Sequence, residues 1–527
     1  MAGEASSLLS SSTSPQQSLV TATTDAQDVL HIHTTLDAVH HGSASFKDTI
    51  INEVKTCMGT GCLALPYAAK AGGIVLHVSG LFAIGLWNIY AVDRLCQCLT
   101  LIPKEHSEEN GESGDGGEAS QMALELPQSP PQCHHRPASL PRYDGVTLLQ
   151  HSQLATDKEA TKQTIVYQYP PRGTSTYSRV AWYAFGPLGL LALDLMMGAL
   201  FIGVVVAFVD ATRGFLRDTP VTSGSDMLDA LAIAFIIGPL SIVPDIGYLS
   251  RASAMGLFVL FASFAVIAIY GWMEYYETNN AHYQDVASYN LQNDNDNSRN
   301  VQSNIIASRA TLNWLPEHGM DGVSQWFGCV VFGYGIAPLT YNFQESMAEP
   351  NQMVRASTAA LLIVAGSYVV LGLGLYALFP DINGDVLRTL PSSGWLPVVV
   401  RLSMAAVVFV TAPLLILPCG QLVEGKLAHR SVDEIPHSIR ALVRIGIAIA
   451  CVSISVLIPG FVSVLSLVGC ASVAAMGFVV PPLLYLRLRY QSKLLSWDLA
   501  FDILMLVWGL AATGCTSFHI LVTIVTS

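Results

Sequence analysis

The sequence predicts an all-α integral membrane protein with about eleven transmembrane helices. Apolar residues make up 51% of the 527 residues, charged residues make up only 12%, and the mean hydropathy is +0.46. A soluble domain carries about 25% charged residues. The apolar residues also lie in long blocks, and a membrane-spanning helix needs about 20 of them in succession. The net charge of −13 argues against a nucleic-acid partner.

Eleven apolar blocks have the length that a bilayer requires. The block at 228–247 is the weakest of them because it contains Pro239, Pro244 and Asp245. In chain order the blocks cover 48–71, 74–99, 180–209, 228–247, 252–272, 323–345, 354–378, 395–419, 439–459, 461–486 and 499–525.

Three polar regions separate or precede these blocks. Residues 1–45 form a tail that we expect to be disordered and cytoplasmic, and it lacks the apolar core of a signal peptide. Residues 100–178 are a predicted cytoplasmic insert rich in Pro, Gly, Ser, Glu and His. Residues 274–320 are a predicted non-cytoplasmic insert rich in Asn, Asp and Ser. The rest of 46–527 is predicted to be one transmembrane domain.

Lysines and arginines indicate which side of the membrane the N-terminus faces. If it is cytoplasmic, Arg355, the basic residues of 426–444 and those of 487–493 all fall in short cytoplasmic segments. Short cytoplasmic loops carry an excess of Lys and Arg in membrane proteins. The distribution therefore predicts a cytoplasmic N-terminus and, with eleven spans, a non-cytoplasmic C-terminus.

Two of the blocks contain helix-breaking residues at corresponding positions. The first reads Gly-Thr-Gly-Cys-Leu-Ala-Leu-Pro at 59–66, and the sixth reads Gly-Tyr-Gly-Ile-Ala-Pro at 333–338. A helix broken inside a bilayer leaves backbone groups that must face protein, water or a ligand. Interrupted helices at matching places in two halves indicate inverted repeats around a binding site at mid-membrane. We expect helices 1–5 and 6–10 to form the repeats, with helix 11 extra.

The chemistry of two such breaks suits a zwitterion. The half-helix that begins after Gly61 has free N–H groups and partial positive charge, which suit a carboxylate. Carbonyl groups that end the opposing half-helices suit an ammonium group or a cation. The alternative is that each Gly-x-Gly only allows membrane helices to pack closely. That alternative is weakened because both motifs are followed by proline.

The first break belongs to a longer motif. Residues 55–68 read Lys-Thr-Cys-Met-Gly-Thr-Gly-Cys-Leu-Ala-Leu-Pro-Tyr-Ala, and Gly72-Gly73 follows. This run resembles the first helix of the amino acid/auxin permease family. Lys55 resembles the proton-coupled and vacuolar branch, since the sodium-coupled branch has asparagine there. Supporting matches are Gly189, Asp194 and Gly203, then 331–335 and 344–350, and then Thr411-Ala412-Pro413 with Leu417-Pro418.

The resemblance covers about 46–527 apart from the two polar inserts. It implies an eleven-helix amino acid transporter domain with the APC/LeuT-type fold of 5+5 inverted repeats and discontinuous helices 1 and 6. It also implies proton-driven transport, with no cofactor or metal.

Three residues are candidates for coupling transport to an ion, because charged groups inside a bilayer are costly. In sodium-coupled relatives a cation lies near the position of Lys55, so the resemblance implies that the Lys55 ammonium replaces it beside Thr411. Asp194 is a candidate proton carrier. The alternatives are a lysine that snorkels to the interface and an aspartate that only pairs with a polar neighbour. Glu53 is interpreted as a solvated residue near a helix end.

Residues at the two breaks form the predicted substrate site. The Thr60 hydroxyl could bind a carboxylate, and Phe332 or Tyr334 could shape a side-chain pocket. Tyr341 is a further candidate, although an aromatic residue in a membrane core ordinarily packs. The site comprises Gly59, Thr60, Gly61, Phe332, Gly333, Tyr334 and Gly335.

The leading hypothesis is a carrier of small neutral amino acids whose other partners are protons and the lipid bilayer. A sodium-coupled or exchange carrier is one alternative, and an amino acid sensor that signals through 1–45 and 100–178 is another. No pattern of an intramembrane enzyme is present. Glu4, Leu8 and Leu9 have the spacing of an acidic dileucine sorting signal, which trafficking adaptors would recognise. With the resemblance, they favour a vacuolar or endolysosomal membrane over the plasma membrane.

Overall fold

Helices make up the architecture of the part of the chain that the computed structural model describes. Most of the three predicted polar regions, including Glu4, Leu8 and Leu9, lies outside that part. The described residues are 42–102, 170, 174–242, 256–277, 312–382, 384–392, 394–428, 436–458, 460–489 and 497–526.

We number the α-helices of these segments α1 to α13. Two π-helical turns, Gly469–Val473 and Ala475–Val479, join α11 to α12. The helices are α1 Phe46–Cys57, α2 Leu65–Leu101, α3 Thr176–Arg217, α4 Asp226–Leu240, α5 Gly256–Glu277, α6 Met320–Gly333, α7 Thr340–Ser346, α8 Met353–Leu378, α9 Trp395–Ala428, α10 His437–Leu457, α11 Phe461–Val468, α12 Val480–Arg489 and α13 Trp497–Thr526.

Eight helical stretches in the described residues are long and apolar enough to cross a membrane, so the protein is an integral membrane protein. Two of them, Thr60–Leu101 and Thr176–Arg217, contain 42 residues each. At 1.5 Å per residue such a helix would measure about 60 Å, roughly twice the hydrocarbon core of a bilayer. Each is divided by a glycine with positive φ, Gly73 at +72° and Gly186 at +67°.

Gly73 separates the first predicted block from the second. A Cβ atom there would lie 2.6 Å from the Leu315 carbonyl carbon, so both the positive φ and the close approach require glycine. The backbone N–H of Ile74, next in the chain, donates to the carbonyl of Asn313 at 2.9 Å. The segment before α6 therefore packs against the bend.

Three predicted blocks do not form a long stretch of their own among the eight. The first and sixth blocks are each divided into shorter helices, which follows from the predicted breaks. The fourth block is occupied by α4, whose 15 residues end just before 243–255, which lie outside the described part. The count of eleven spans therefore stays a prediction.

The start of α1 is fixed to the end of α7. Ser45 and Asp48 form a capping box in which each side chain bonds the other residue's backbone N–H. The Ala44 N–H donates to the Ser346 carbonyl, and the Ala348 N–H donates to the Ala44 carbonyl, both at 2.9 Å. The two broken blocks thus meet at one end of the bundle, which we call the α1 end.

Buried ion pairs connect long helices elsewhere. Arg94 Nε of α2 lies 2.7 Å from Asp502 Oδ1 of α13, and the Tyr90 hydroxyl also donates to that oxygen at 2.8 Å. Arg444 of α10 lies 3.0 Å from Glu424 of α9. A charge buried in this way is tolerated when it is paired and hydrogen-bonded.

Candidate substrate cavity

A cavity of about 530 Å³ lies between the two broken segments. Helices α3, α5 and α9 and the π-helical region also contribute to its wall. Pockets that hold small molecules measure about 300–1,000 Å³ and are mostly apolar. The lining includes Asn52 of α1 and Phe343 of α7, so the cavity extends from the breaks toward the α1 end.

The first break supplies backbone and hydroxyl groups to the cavity. After α1 ends at Cys57, a 3₁₀ helix runs from Thr60 to Ala64, and its first residues have no side-chain cap. The first N–H groups of such a helix lack intrahelical partners. Thr60 is buried, and its hydroxyl has no hydrogen-bond partner among the described residues. The break therefore offers donors to a ligand.

The second break lies across the cavity from the first. Helix α6 ends at Gly333, residues 334–336 form a turn, and a 3₁₀ turn at Ala337–Leu339 leads into α7. Pro338 lies in that turn, where its missing N–H removes a donor that the helix interior would need. Phe332 and Gly333, at the end of α6, both contribute to the cavity wall.

One tyrosine joins the two breaks. The hydroxyl of Tyr368, on α8, lies 2.7 Å from the Cys57 carbonyl oxygen and 3.0 Å from the Gly333 carbonyl oxygen. Tyr368 is fully buried. These carbonyls end α1 and α6, where no helical N–H can reach them, so a single O–H shared between them satisfies part of both helix ends.

The two break glycines on the first helix differ in the space around them. A Cβ atom at Gly61 would lie 2.9 Å from Phe332 Cδ1, which is closer than real Cβ contacts. A Cβ atom at Gly59 would meet nothing within 4 Å. Glycine at 61 is therefore needed for the close approach of the two breaks, whereas alanine fits at 59.

The structure brings most of the residues predicted from sequence to this one cavity. The exceptions are Tyr334 and Asp194, and the additional candidate Tyr341 is also absent from the lining. The predicted residues that line the cavity are Lys55, Gly59, Thr60, Gly61, Phe332, Gly333, Gly335 and Thr411.

Tyr334 and Tyr341 point away from the cavity and pack. The Tyr334 hydroxyl donates to the Leu81 carbonyl at 3.1 Å, and its ring packs edge-on against Tyr368 with centroids 5.4 Å apart. The Tyr341 hydroxyl donates to the Leu95 carbonyl at 2.8 Å. Both hydroxyl groups donate to backbone carbonyls of α2. The second broken segment is therefore oriented so that these two side chains face α2 and not the cavity.

Asp194 belongs to a bend in α3. Its Oδ1 accepts a hydrogen bond from the Ser178 hydroxyl at 2.8 Å. The two residues lie on either side of the kink at Gly186, which has a positive φ. This arrangement matches the alternative reading of an aspartate that pairs with a polar neighbour. A role for Asp194 in proton coupling stays a prediction without support from the cavity geometry.

Lys55 and Thr411 face the same space. Lys55 is half-buried and makes no hydrogen bond or ion pair within the described part of the chain. The Thr411 hydroxyl donates to the Val407 carbonyl of its own helix at 2.7 Å, which leaves its oxygen free to accept. Both residues are thus available to a ligand.

Two buried residues near the breaks, Glu53 and Tyr368, were not predicted to lie there. Glu53 was expected to be solvated, yet its exposure is 0% and it accepts a hydrogen bond from Ser357 of α8. The spacing of Thr49, Glu53 and Cys57 could have indicated that Glu53 is buried. The three residues fall four apart and therefore lie on one face of α1, which is the buried face. Tyr368 carried no signal, since nothing in the sequence of α8 indicates that it faces two helix ends.

Comparison with known proteins agrees with this architecture. Residues 42–117 and 145–522 match the family described as transmembrane amino acid transporter protein. The chain is 20% identical over 478 residues to amino acid transporter ANT1 of Arabidopsis thaliana, which covers 88% of this chain and 89% of that protein.

Two further relatives match over shorter regions. Amino acid transporter AVT3A of Arabidopsis thaliana is 27% identical over 208 residues, 37% of this chain and 47% of the relative. Vacuolar amino acid transporter 3 of Saccharomyces cerevisiae is 27% identical over 207 residues, 37% of this chain and 29% of the relative. These matches span less than half the length of either relative. Because the family match extends over most of the sequence, the chain belongs to the transmembrane amino acid transporter protein family.

Proposed function

We propose that this protein is a secondary active transporter that moves small neutral amino acids across a membrane together with protons. The observation that carries the proposal is the meeting of two helix breaks at one cavity of about 530 Å³. The printed descriptions of the family and of its relatives as amino acid transporters support the same cargo.

The cavity offers complementary groups for an amino acid. The unpartnered Thr60 hydroxyl and the uncapped 3₁₀ helix that begins there would bind the carboxylate. The carbonyl groups at the end of α6 would accept hydrogen bonds from the ammonium group. Each carbonyl oxygen has two lone pairs, so the contact of Gly333 with Tyr368 leaves one for a ligand.

The wall around these groups favours a neutral side chain. Leu200, Phe201, Leu260 and Met404 are among the apolar residues that line it. Lys55 is the one charged residue among the described residues of the lining. A substrate with a cationic side chain would be repelled there, and an apolar side chain would bury its surface at about 25 cal/mol per Å².

Lys55 also supports protons over sodium as the driving ion. Lys55 and Thr411 line the same cavity, so a lysine side chain shares the region where the family resemblance would place a sodium ion. We further propose that α1 to α5 and α6 to α12 form the two inverted repeats, with α13 as the extra helix. The corresponding breaks in the first and sixth predicted blocks support this division.

The experiment is uptake by proteoliposomes that contain the purified full chain. A panel of radiolabelled amino acids is tested with an imposed pH gradient, with sodium present or replaced by choline. We expect small neutral amino acids to accumulate several-fold only when the gradient is present, whatever the cation. Accumulation that needs sodium would identify the alternative driver, and no uptake of any amino acid would refute the proposal.

A further inference from the structure

Glu53 is a fully buried carboxyl group on α1. Its exposure is 0%, and its Oε1 accepts a hydrogen bond from the Ser357 hydroxyl of α8 at 2.7 Å. Its Oε2 has no hydrogen-bond partner among the described residues. Burying an ionised carboxylate costs far more than burying the neutral acid unless a cation pairs with it.

Charged groups near Glu53 do not supply that cation. Lys55 points to the cavity, and Arg355 of α8 is exposed. Two thiols lie within electrostatic range of Glu53, Cys57 on its own helix and Cys96 on α2, and neither can supply a positive charge. A carboxylate at this position would therefore be uncompensated within the described part of the chain, and a proton is the smallest species that removes its charge.

The position of Glu53 connects it to the cavity. Asn52, Lys55 and Thr56 line the cavity, while Glu53 lies on the neighbouring face of α1, which packs against α8. One turn later the Cys57 carbonyl accepts from Tyr368, also on α8. Helix α1 is therefore held to α8 at two points, and it ends at the first break.

We propose that Glu53 is the proton-binding residue of the transport cycle, and that its protonation holds α1 against α8. The carboxylate takes one proton from solvent to give the neutral acid, and it returns that proton when α1 separates from α8 and water reaches it. Proton binding and the position of the first half-helix are then one coupled equilibrium. This inference rests on the proposed function, because it assigns the coupling site of the same carrier.

The test separates exchange from accumulation in proteoliposomes. Exchange of labelled for unlabelled amino acid at equal pH needs no net proton movement, whereas accumulation under a pH gradient does. The variant Glu53→Gln keeps the shape of the neutral acid but binds no proton. We expect it to exchange within about threefold of the parent rate, with a flat pH profile, and to lose accumulation entirely. Glu349→Gln, at an exposed position before α8, is the matched control and should accumulate normally.

Several outcomes would overturn the inference. Accumulation by Glu53→Gln at the parent level would place the proton elsewhere, and loss of exchange with an unchanged melting temperature would make Glu53 a transport residue without a coupling role. If Glu53→Gln does not fold, Glu53→Asp, which keeps the carboxyl, must still accumulate substrate. Failure of the parent protein to exchange or accumulate any amino acid would instead refute the proposed function.

Discussion

Single buried polar groups define the proposed substrate site. The Thr60 hydroxyl lacks a partner among the described residues, and the Tyr368 hydroxyl is shared between two backbone carbonyls. An unmade hydrogen bond at a buried group costs about 1–3 kcal/mol. A ligand that completes the Thr60 bond gains that amount, so this hydroxyl favours a carboxylate over an apolar group.

Replacing Gly61 with alanine should impair transport more than the same change at Gly59. The new methyl group at 61 would lie 2.9 Å from Phe332 Cδ1 and push the two breaks apart, whereas at 59 it meets no atom within 4 Å. We expect Gly61→Ala to lower the initial uptake rate about tenfold or more, and Gly59→Ala to lower it no more than about threefold. Initial rates in proteoliposomes provide the measurement, and equal rates in the two variants would contradict the close approach.

At the level of helix pairs, polar contacts between helices could not be predicted from the sequence. Arg94 of α2 bonds Asp502, which lies more than 400 residues later in the chain. The guanidinium group also lies over the Tyr485 ring at 4.7 Å from its centroid. These contacts fix the ends of α2, α12 and α13 relative to one another.

The Asp502→Asn substitution should destabilise the protein strongly. It removes the nearer of the two carboxylates that pair with Arg94, whose side chain is 13% exposed, and Asp502 itself is fully buried. Removing one partner of a buried pair costs about 3–5 kcal/mol. Thermal unfolding of detergent-purified protein should show a melting temperature lower by several degrees.

Asp498 provides the control for this measurement. It lies one turn earlier on α13 and is exposed, so Asp498→Asn should leave the melting temperature nearly unchanged. An equal decrease for both variants would mean that the loss arises from the helix end and not from the buried pair.

At the scale of the whole molecule, the cavity extends from the breaks toward the α1 end of the bundle. On the other side of the breaks the Tyr67 hydroxyl bonds the Gln325 side chain, and Lys70 Nζ donates to the Ile382 carbonyl at 3.1 Å. A separate cavity of about 130 Å³ lies there, lined by Asp385, Arg388 and Val462 among others. The two cavities thus lie on opposite sides of the breaks, and we predict that the larger one is reached from the α1 end.

Thiol labelling should therefore be one-sided. A membrane-impermeant reagent should modify Thr411→Cys from the side of the N-terminus, because Thr411 lines the open cavity, and a saturating amino acid should slow the reaction. Val462→Cys should react from the opposite side. Labelling is measured against the parent protein, whose own cysteines give the background. Modification of Thr411→Cys from the opposite side alone would reverse the assigned opening.

The stability of the protein should depend on pH through Asp385, which lies at the opposite end from α1. Burial raises the pKa of the Asp385 carboxyl, although the neighbouring Arg388 opposes the shift. A raised pKa means that the folded state favours the protonated acid. Its contribution to stability is therefore present below the ordinary pKa and is lost as the pH rises through the folded-state value. In Asp385→Asn the melting temperature should consequently vary less with pH than in the parent.

Much of the helical layout could be predicted from the sequence, because a membrane helix satisfies its own backbone and its signal is local. The breaks after Cys57 and Gly333 were predicted for the same reason, since glycine and proline act on the chain next to them. The rotation of each helix was not predictable. Tyr334 and Phe332 are two residues apart, yet only Phe332 reaches the cavity.

Local patterns along the chain are enough to predict a helical protein that lies in a membrane and interrupts two helices at matching places. Which side chains share a space follows from the packing of the helices. It removed Tyr334 from the site, joined Asp194 to Ser178, and buried Glu53 against Ser357. The physical reason is that helix formation depends on neighbours along the chain, whereas polar partners across helices depend on packing between residues hundreds of positions apart.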